Sequence, residues 1–300
     1  MENPVADGRA AAALARLGRP SELRRIEHGE SNDVWFAGDI VIRMATAPGH
    51  SELQAEAELV SVLPPEVGYP AVVGTGVEDG HEWMATERIG GANLGHAWPD
   101  LPAAERLRAF EDLYGRLEHV HRTDIHRVDP GRSTPFYALN PAVANRQLQT
   151  LPDVFDDSTV RNLHRILDAA FPAIAAVPRA LMHTDAGPGN AVWNGRNAIP
   201  VDFEFACIAP ADLEIENLAR KRHGEPEILR RLAEMARPLL IADGAYQRIL
   251  GYTVLREIWA VGKWIENWPQ RRGIESWQPV CALREHAAGT SWVAHLFSGR

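Results

Sequence analysis

Residues 181–212 read LMHTDAGPGNAVWNGRNAIPVDFEFACIAPAD. Within them His183, Asp185 and Asn190 form H-x-D-x-x-x-x-N, and Asp202-Phe203-Glu204 follows. The local patterns predict a layout. Ala180–Met182 reads as a strand ending at His183, after which a tight Gly/Pro loop swings Asp185 out of the ladder. Ala191–Trp193 and Ala198–Asp202 read as two more strands, and Asn194-Gly195 between them is a hairpin signal. That hairpin would return Asp202 next to Asn190. One carboxylate near an acceptor hydroxyl, with an amide oxygen and a second carboxylate on a metal, is the layout that phosphoryl transfer requires. The plainer reading is a surface loop whose Asp and Asn are turn formers. The D-F-E at a hairpin's distance, flanked by strand-like runs, argues against it.

Upstream the texture is β-rich. Residues 6–17 read as a short Ala/Leu helix ending at Gly18. Leu23–Glu27, Val34–Phe36, Ile40–Arg43, Ala71–Val77 and Glu82–Arg88 read as strands. Ser51 with Gln54 is a capping box that opens a helix running to about Leu63, where Pro64-Pro65 stops it. On that helix Glu56 shares its spacing with Leu53, Val60 and Leu63 and so emerges from the apolar face. A carboxylate there is costly unless paired, and Arg43 is the natural partner. Gly90-Gly91 ends this first domain, residues 1–91. Residues 92–300 read as mainly helical. Leu107, Phe110, Leu113, Leu117 and His121 recur at helical spacing, and further helices are expected over 158–175, 211–241, 245–268 and near the C-terminus. The fold class is therefore α+β.

Lys+Arg 31 against Asp+Glu 40 gives a net charge of −9, which argues against nucleic acid or an anionic membrane as partner. Two cysteines, Cys207 and Cys281, make no disulfide framework. The N-terminus has no basic region followed by an apolar run, and no tract of eighteen apolar residues occurs, so a cytoplasmic location is expected. Lysine occurs only at Lys221 and Lys263, and neither precedes Ser or Thr. The G-x-x-x-x-G-K-[ST] phosphate loop is therefore absent.

On these residues the chain resembles the aminoglycoside phosphotransferase and choline kinase-like family, over roughly residues 20 to 220. The resemblance implies a two-lobed, protein-kinase-like fold with a small antiparallel β N-lobe and a mainly helical C-lobe. Gly29-Glu30-Ser31-Asn32 resembles the nucleotide-covering hairpin, which implies nucleotide contacts at Gly29, Ser31 and Asn32. Arg43 and Glu56 match the phosphate-binding cation, usually a lysine, and its helix glutamate. WMATERIGG (83–91) resembles the strand and linker whose backbone grips adenine, at Glu87 and Ile89. By the same resemblance Asp185 orients the acceptor hydroxyl, His183 braces the loop, and Asn190 and Asp202 hold magnesium. Glu204 and Asp212 would support the site or cap a helix. ATP is the implied donor, with GTP as the alternative.

The C-terminal part is rich in aromatic and acidic residues: Trp259, Trp264, Trp268, Trp277, Trp292, Tyr246 and Tyr252, with Glu214, Glu216, Glu257 and Glu266. An aromatic wall with acids suits a sugar, nucleoside or amine-bearing acceptor. The same residues at i, i+4 spacing also suit a helix core and a solvated face. The first expectation is a kinase that inactivates an antibiotic of aminoglycoside, cyclic peptide or nucleoside type. The second is a choline, sugar or amino-alcohol kinase, and the third a nucleotide-binding pseudokinase.

Overall fold

The computed structural model describes residues 4–19, 21–28, 31–49, 52–129, 140–149, 154–267 and 273–298. In chain order its elements begin with α1 (Pro4–Arg16), β1 (Arg24–His28), β2 (Asn32–Ala37), β3 (Ile40–Ala45), α2 (Leu53–Val60), β4 (Val72–Glu78) and β5 (His81–Glu87). There follow β6 (Ala92–Asn93), α3 (Leu94–Ala97), α4 (Ala103–Val120), α5 (Pro141–Gln149) and α6 (Asp157–Ala175). Four short strands come next, β7 (Arg179–Met182), β8 (Ala191–Trp193), β9 (Ala198–Pro200) and β10 (Cys207–Pro210). The chain ends in α7 (Leu213–Arg222), α8 (Pro226–Met235), α9 (Arg237–Leu240), α10 (Ala245–Asn267), α11 (Gln278–Ala288) and α12 (Val293–Phe297). This is the expected α+β, protein-kinase-like architecture: an antiparallel N-terminal sheet and a mostly helical remainder.

The chain packs as two compact units, residues 1–129 with 188–204, and residues 130–187 with 205–300. The boundary read from sequence at Gly91 falls inside the first of them.

In the first unit five strands lie in the order β1-β2-β3-β5-β4, each antiparallel to its neighbour. The two-residue period of β3 sorts its side chains. Ile40, Ile42 and Met44 join Trp35, Trp83 and Ala85 in a core closed by Ala6, Ala10, Ala13 and Leu14 of α1. Arg43, between them, points to the other face, where α2 lies. The β8–β9 hairpin belongs to the same unit, with Ala191 opposite Pro200 and Trp193 opposite Ala198. Asn194 Oδ1 accepts the N–H groups of Arg196 and Asn197 and closes its turn. Strand β6 adds to β8, and Gly91, at φ +129°, makes that possible, because a Cβ there would lie 2.2 Å from the Trp193 carbonyl. From α4, Asp112 accepts the Ala198 N–H at 2.6 Å and ties the hairpin down.

In the second unit β7 and β10 pair antiparallel, Leu181 opposite Ile208. Helix α10 is buried along most of its length from Ala245 to Val261. Its Arg248 and Tyr252 meet the buried Asp212 at 2.5 and 2.7 Å.

Several expectations need correction. Helix α2 begins at Leu53 and ends at Val60; Ser51 of the capping box lies outside the described residues, and Glu52 at the N-cap position makes no side-chain cap bond. Glu82 serves that helix end instead, accepting the Gln54 N–H at 3.0 Å. The strand expected to reach Asp202 stops at Pro200, and Asp202 takes φ +67°, a left-handed conformation in which aspartate is among the better tolerated side chains. Asp212 stands at the N-cap position of α7, but its carboxylate makes no cap bond there and is engaged by Arg248 and Tyr252. Strands β6 and β10 and helix α5 were not anticipated. The Trp264 and Trp277 rings lie 5.8 Å apart and both are only partly buried, and Trp268 lies outside the described residues. No helix among the described residues is long and apolar enough to cross a membrane.

Candidate active site

The chain passes from one unit to the other at 187/188 and again at 204/205. His183 and Asp185 therefore pack with the helical unit, and Asn190 and Asp202 with the sheet unit.

The sheet unit gathers Arg43, Glu56 and Asp202. Glu56 is fully buried, and both its oxygens accept from Arg43 Nη1, at 2.7 and 2.8 Å. Oε1 also accepts the Tyr69 hydroxyl at 3.1 Å and the Phe203 N–H at 2.9 Å. Arg43 Nη2 donates to Asp202 Oδ1. One guanidinium thus joins the sheet, helix α2 and the D-F-E segment. Burial works against the Arg43 charge, but Asp202 and then Glu56 outweigh it and raise its pKa well above the ordinary value. Burial, and then the Glu56 charge, raise the Tyr69 pKa, so that hydroxyl stays protonated and donates. Removing one partner of a buried pair strands the other charge. Glu56→Ala is expected to lower stability by about 3–5 kcal/mol, read as a shift in the urea unfolding midpoint.

Glu204 lies close to Asp202, and burial and then the Asp202 charge raise its pKa. Asn32 Nδ2 donates to Glu204 Oε2 at 3.0 Å. Asn190 closes a short 3-10 turn, Pro188–Asn190, and its carbonyl accepts the Val201 N–H at 2.9 Å, which brings the two ends of the hairpin together as expected. Ser31 accepts the Thr46 N–H at 2.9 Å through its carbonyl. Gly29 and Glu30 lie outside the described residues. Glu87 ends β5, donating to the Ala71 carbonyl at 2.9 Å, and Ile89 follows beyond the strand ladder.

In the helical unit the loop after β7 is carried by helix α7. Glu214 Oε1 accepts the N–H groups of His183 and Thr184, at 2.7 and 3.1 Å. Asn217 Nδ2 donates to the carbonyls of Thr184 and Ala186, both at 3.1 Å. Thr184, at φ +61°, is held by these bonds and by its hydroxyl on the Phe205 carbonyl at 2.7 Å. His183 is fully buried beneath the loop. Asp185 is half-buried and bonds Lys221 at 2.9 Å. Burial pushes its pKa up, but the charge and hydrogen bond of Lys221 prevail and the net shift is downward, so Asp185 is a carboxylate at neutral pH. The sequence reading missed Asn217 and Lys221. Their i, i+4 spacing just after the motif was the available signal.

A sheet-borne cation held by a helix glutamate, with an aspartate loop after a β-strand in the helical part, defines a kinase-like phosphotransferase. The chain belongs to the APH phosphotransferase enzyme family, whose model matches residues 22–258. It is an ATP-dependent small-molecule phosphotransferase. Its fold is similar to that of a thermostable mutant of aminoglycoside phosphotransferase APH(4)-Ia in ternary complex with AMP-PNP and hygromycin B, with TM-score 0.64, 16% identity and coverage of 96% of this chain and 98% of that one. It is also similar to a choline/ethanolamine kinase family protein from Mesorhizobium loti, with TM-score 0.61, 20% identity and coverage of 98% and 95%. The streptomycin-ATP-APH(2")-IIa ternary complex gives TM-score 0.63 at 12% identity, covering 96% and 99%. No curated protein matches the sequence.

Proposed function

We propose that the protein transfers the γ-phosphate of ATP to a hydroxyl of a small antibiotic and so inactivates it. The observation that carries the reading is the Arg43 guanidinium bonded to both Glu56 and Asp202. Those residues were named from sequence as the phosphate cation, its helix carboxylate and a metal ligand. Neighbours of the fold that hold hygromycin B or streptomycin support an antibiotic acceptor.

In this reading Arg43 draws the phosphates, Glu56 holds it in place, and the backbone at Glu87 and Ile89 receives the adenine, with Gly29, Ser31 and Asn32 over the nucleotide. Asn190 and Asp202 offer an amide oxygen and a carboxylate, hard donors of the kind magnesium takes beside substrate phosphates. Two neighbouring carboxylates, Asp202 and Glu204, fit a site that gains a cation. Magnesium, when bound, would neutralise developing charge on the phosphate oxygens. Asp185, ionised at neutral pH, accepts a hydrogen bond from the acceptor hydroxyl, orients it and takes its proton late. In a loose transition state that positioning outweighs basicity. His183 braces the loop from below.

A metabolite kinase is the second reading, favoured by the choline/ethanolamine kinase family neighbour. The pseudokinase reading rests on the missing N-terminal lysine; against it stands the pair that Arg43 makes with Glu56. The test is a nucleotide-consumption screen against antibiotics and metabolites, with product mass reporting an added phosphate. Transfer to antibiotics supports the proposal, and transfer to choline or simple sugars alone favours the second reading. Nucleotide binding without transfer across the panel returns the third.

A further inference from the structure

Lys221 Nζ lies 2.9 Å from Asp185 Oδ1, 3.0 Å from the Asp185 carbonyl and 3.1 Å from the Ala186 carbonyl. An ammonium carries three protons, and these three acceptors use all of them. The lysine is therefore occupied by the loop, holding the side chain and the main chain of a single residue together. Glu214, Asn217 and Lys221, at i, i+3 and i+7, lie along one face of α7 and take the loop from His183 to Ala186 in order. We propose that Lys221 is a positioning residue for phosphoryl transfer, acting through Asp185 by fixing the orientation of its carboxylate against the loop backbone. The proposal rests on the reading of Asp185 as the group that orients the acceptor hydroxyl.

Two further features fit this role. Of 31 Lys+Arg residues only two are lysine, and one stands here. Three acceptors converging on one point suit a compact ammonium, whereas the donors of a planar guanidinium diverge. Gly187, at φ +159°, leaves room for the lysine stem: a Cβ there would lie 3.0 Å from Lys221 Cδ and 3.3 Å from Nζ.

The titratable and charged groups that face Asp185 are Lys221 from α7, His183 from its own loop and Arg256 from α10, while Arg220 and Arg256 act on Lys221. Glu257 of α10, pushed up to about 7 by burial, interacts with Arg220, Glu216 and Arg256. Burial alone drives the Asp185 pKa upward, and Lys221 supplies the largest opposing influence. Without Lys221 the carboxylate must therefore titrate at higher pH.

The experiment uses the full chain labelled with 13C-carboxyl aspartate, in which the resonance missing from Asp185→Asn belongs to Asp185. In Lys221→Met that resonance is expected to titrate at higher pH than in the wild type. ATP hydrolysis with water as acceptor should fall roughly 10- to 100-fold at unchanged KM for ATP, and the acidic limb of its pH profile should move up with the resonance. Lys221→Arg keeps the charge and should restore the titration but only part of the turnover. A wild-type titration in Lys221→Met overturns the proposal, as does full turnover in Lys221→Arg, which serves alone if the methionine variant does not fold. Undiminished hydrolysis in Asp185→Asn would instead remove the functional reading beneath it, leaving the titration result standing.

Discussion

Asp185→Asn is expected to cut turnover by about 10²–10⁴-fold while the fold and nucleotide affinity stay as in the wild type. The amide keeps the shape of the side chain and an oxygen for Lys221, and the bonds from Glu214 and Asn217 to the loop backbone do not involve the substituted group. What is lost is the negative charge that accepts the substrate hydroxyl and finally its proton. Product formation on whichever acceptor the screen identifies, with nucleotide binding measured alongside, separates the two effects. Turnover at the wild-type rate would eliminate Asp185 from the chemistry.

Asp202→Ala is expected to abolish magnesium-dependent turnover, a loss of about 10³-fold or more if the ion supplies several kcal/mol to the transition state. The Asp202 side chain is one-third exposed, whereas Glu56 is fully buried, so the fold should survive this change better than it survives Glu56→Ala. Arg43 keeps its contacts with Glu56, so residual activity should no longer respond to a magnesium titration. A wild-type rate and magnesium dependence in this variant would contradict the metal assignment.

The Arg43–Glu56 pair was legible because a carboxylate on the apolar stripe of a helix needs a buried cation, and the adjacent strand offered one. The β8–β9 hairpin was legible because Asn194-Gly195 between two strand-like runs is a strong short-range turn signal. Strand β10 was not, because Cys207–Pro210 acquires strand character only by pairing with Arg179–Met182, a partner distant in sequence. Packing of 188–204 with the sheet was equally hidden, since β6 offers two residues and no periodicity. Asp212 could support the site or cap a helix from its place in the sequence, and only Arg248 and Tyr252, more than thirty residues on, reveal what its carboxylate holds.

Residues 188–204 pack with the sheet unit, although they are synthesised after a long stretch of the helical one. A nascent polypeptide that has emerged as far as Asp129 already contains Arg43 and Glu56, but it lacks the Phe203 amide and the Asp202 carboxylate that complete their surroundings. The whole of the helical partner's first segment, from Pro130 to Gly187, must leave the ribosome before those groups arrive. The sheet unit therefore completes its packing only after an intervening segment of the helical unit has been made, and the Arg43 guanidinium waits for its second acid until Asp202 follows.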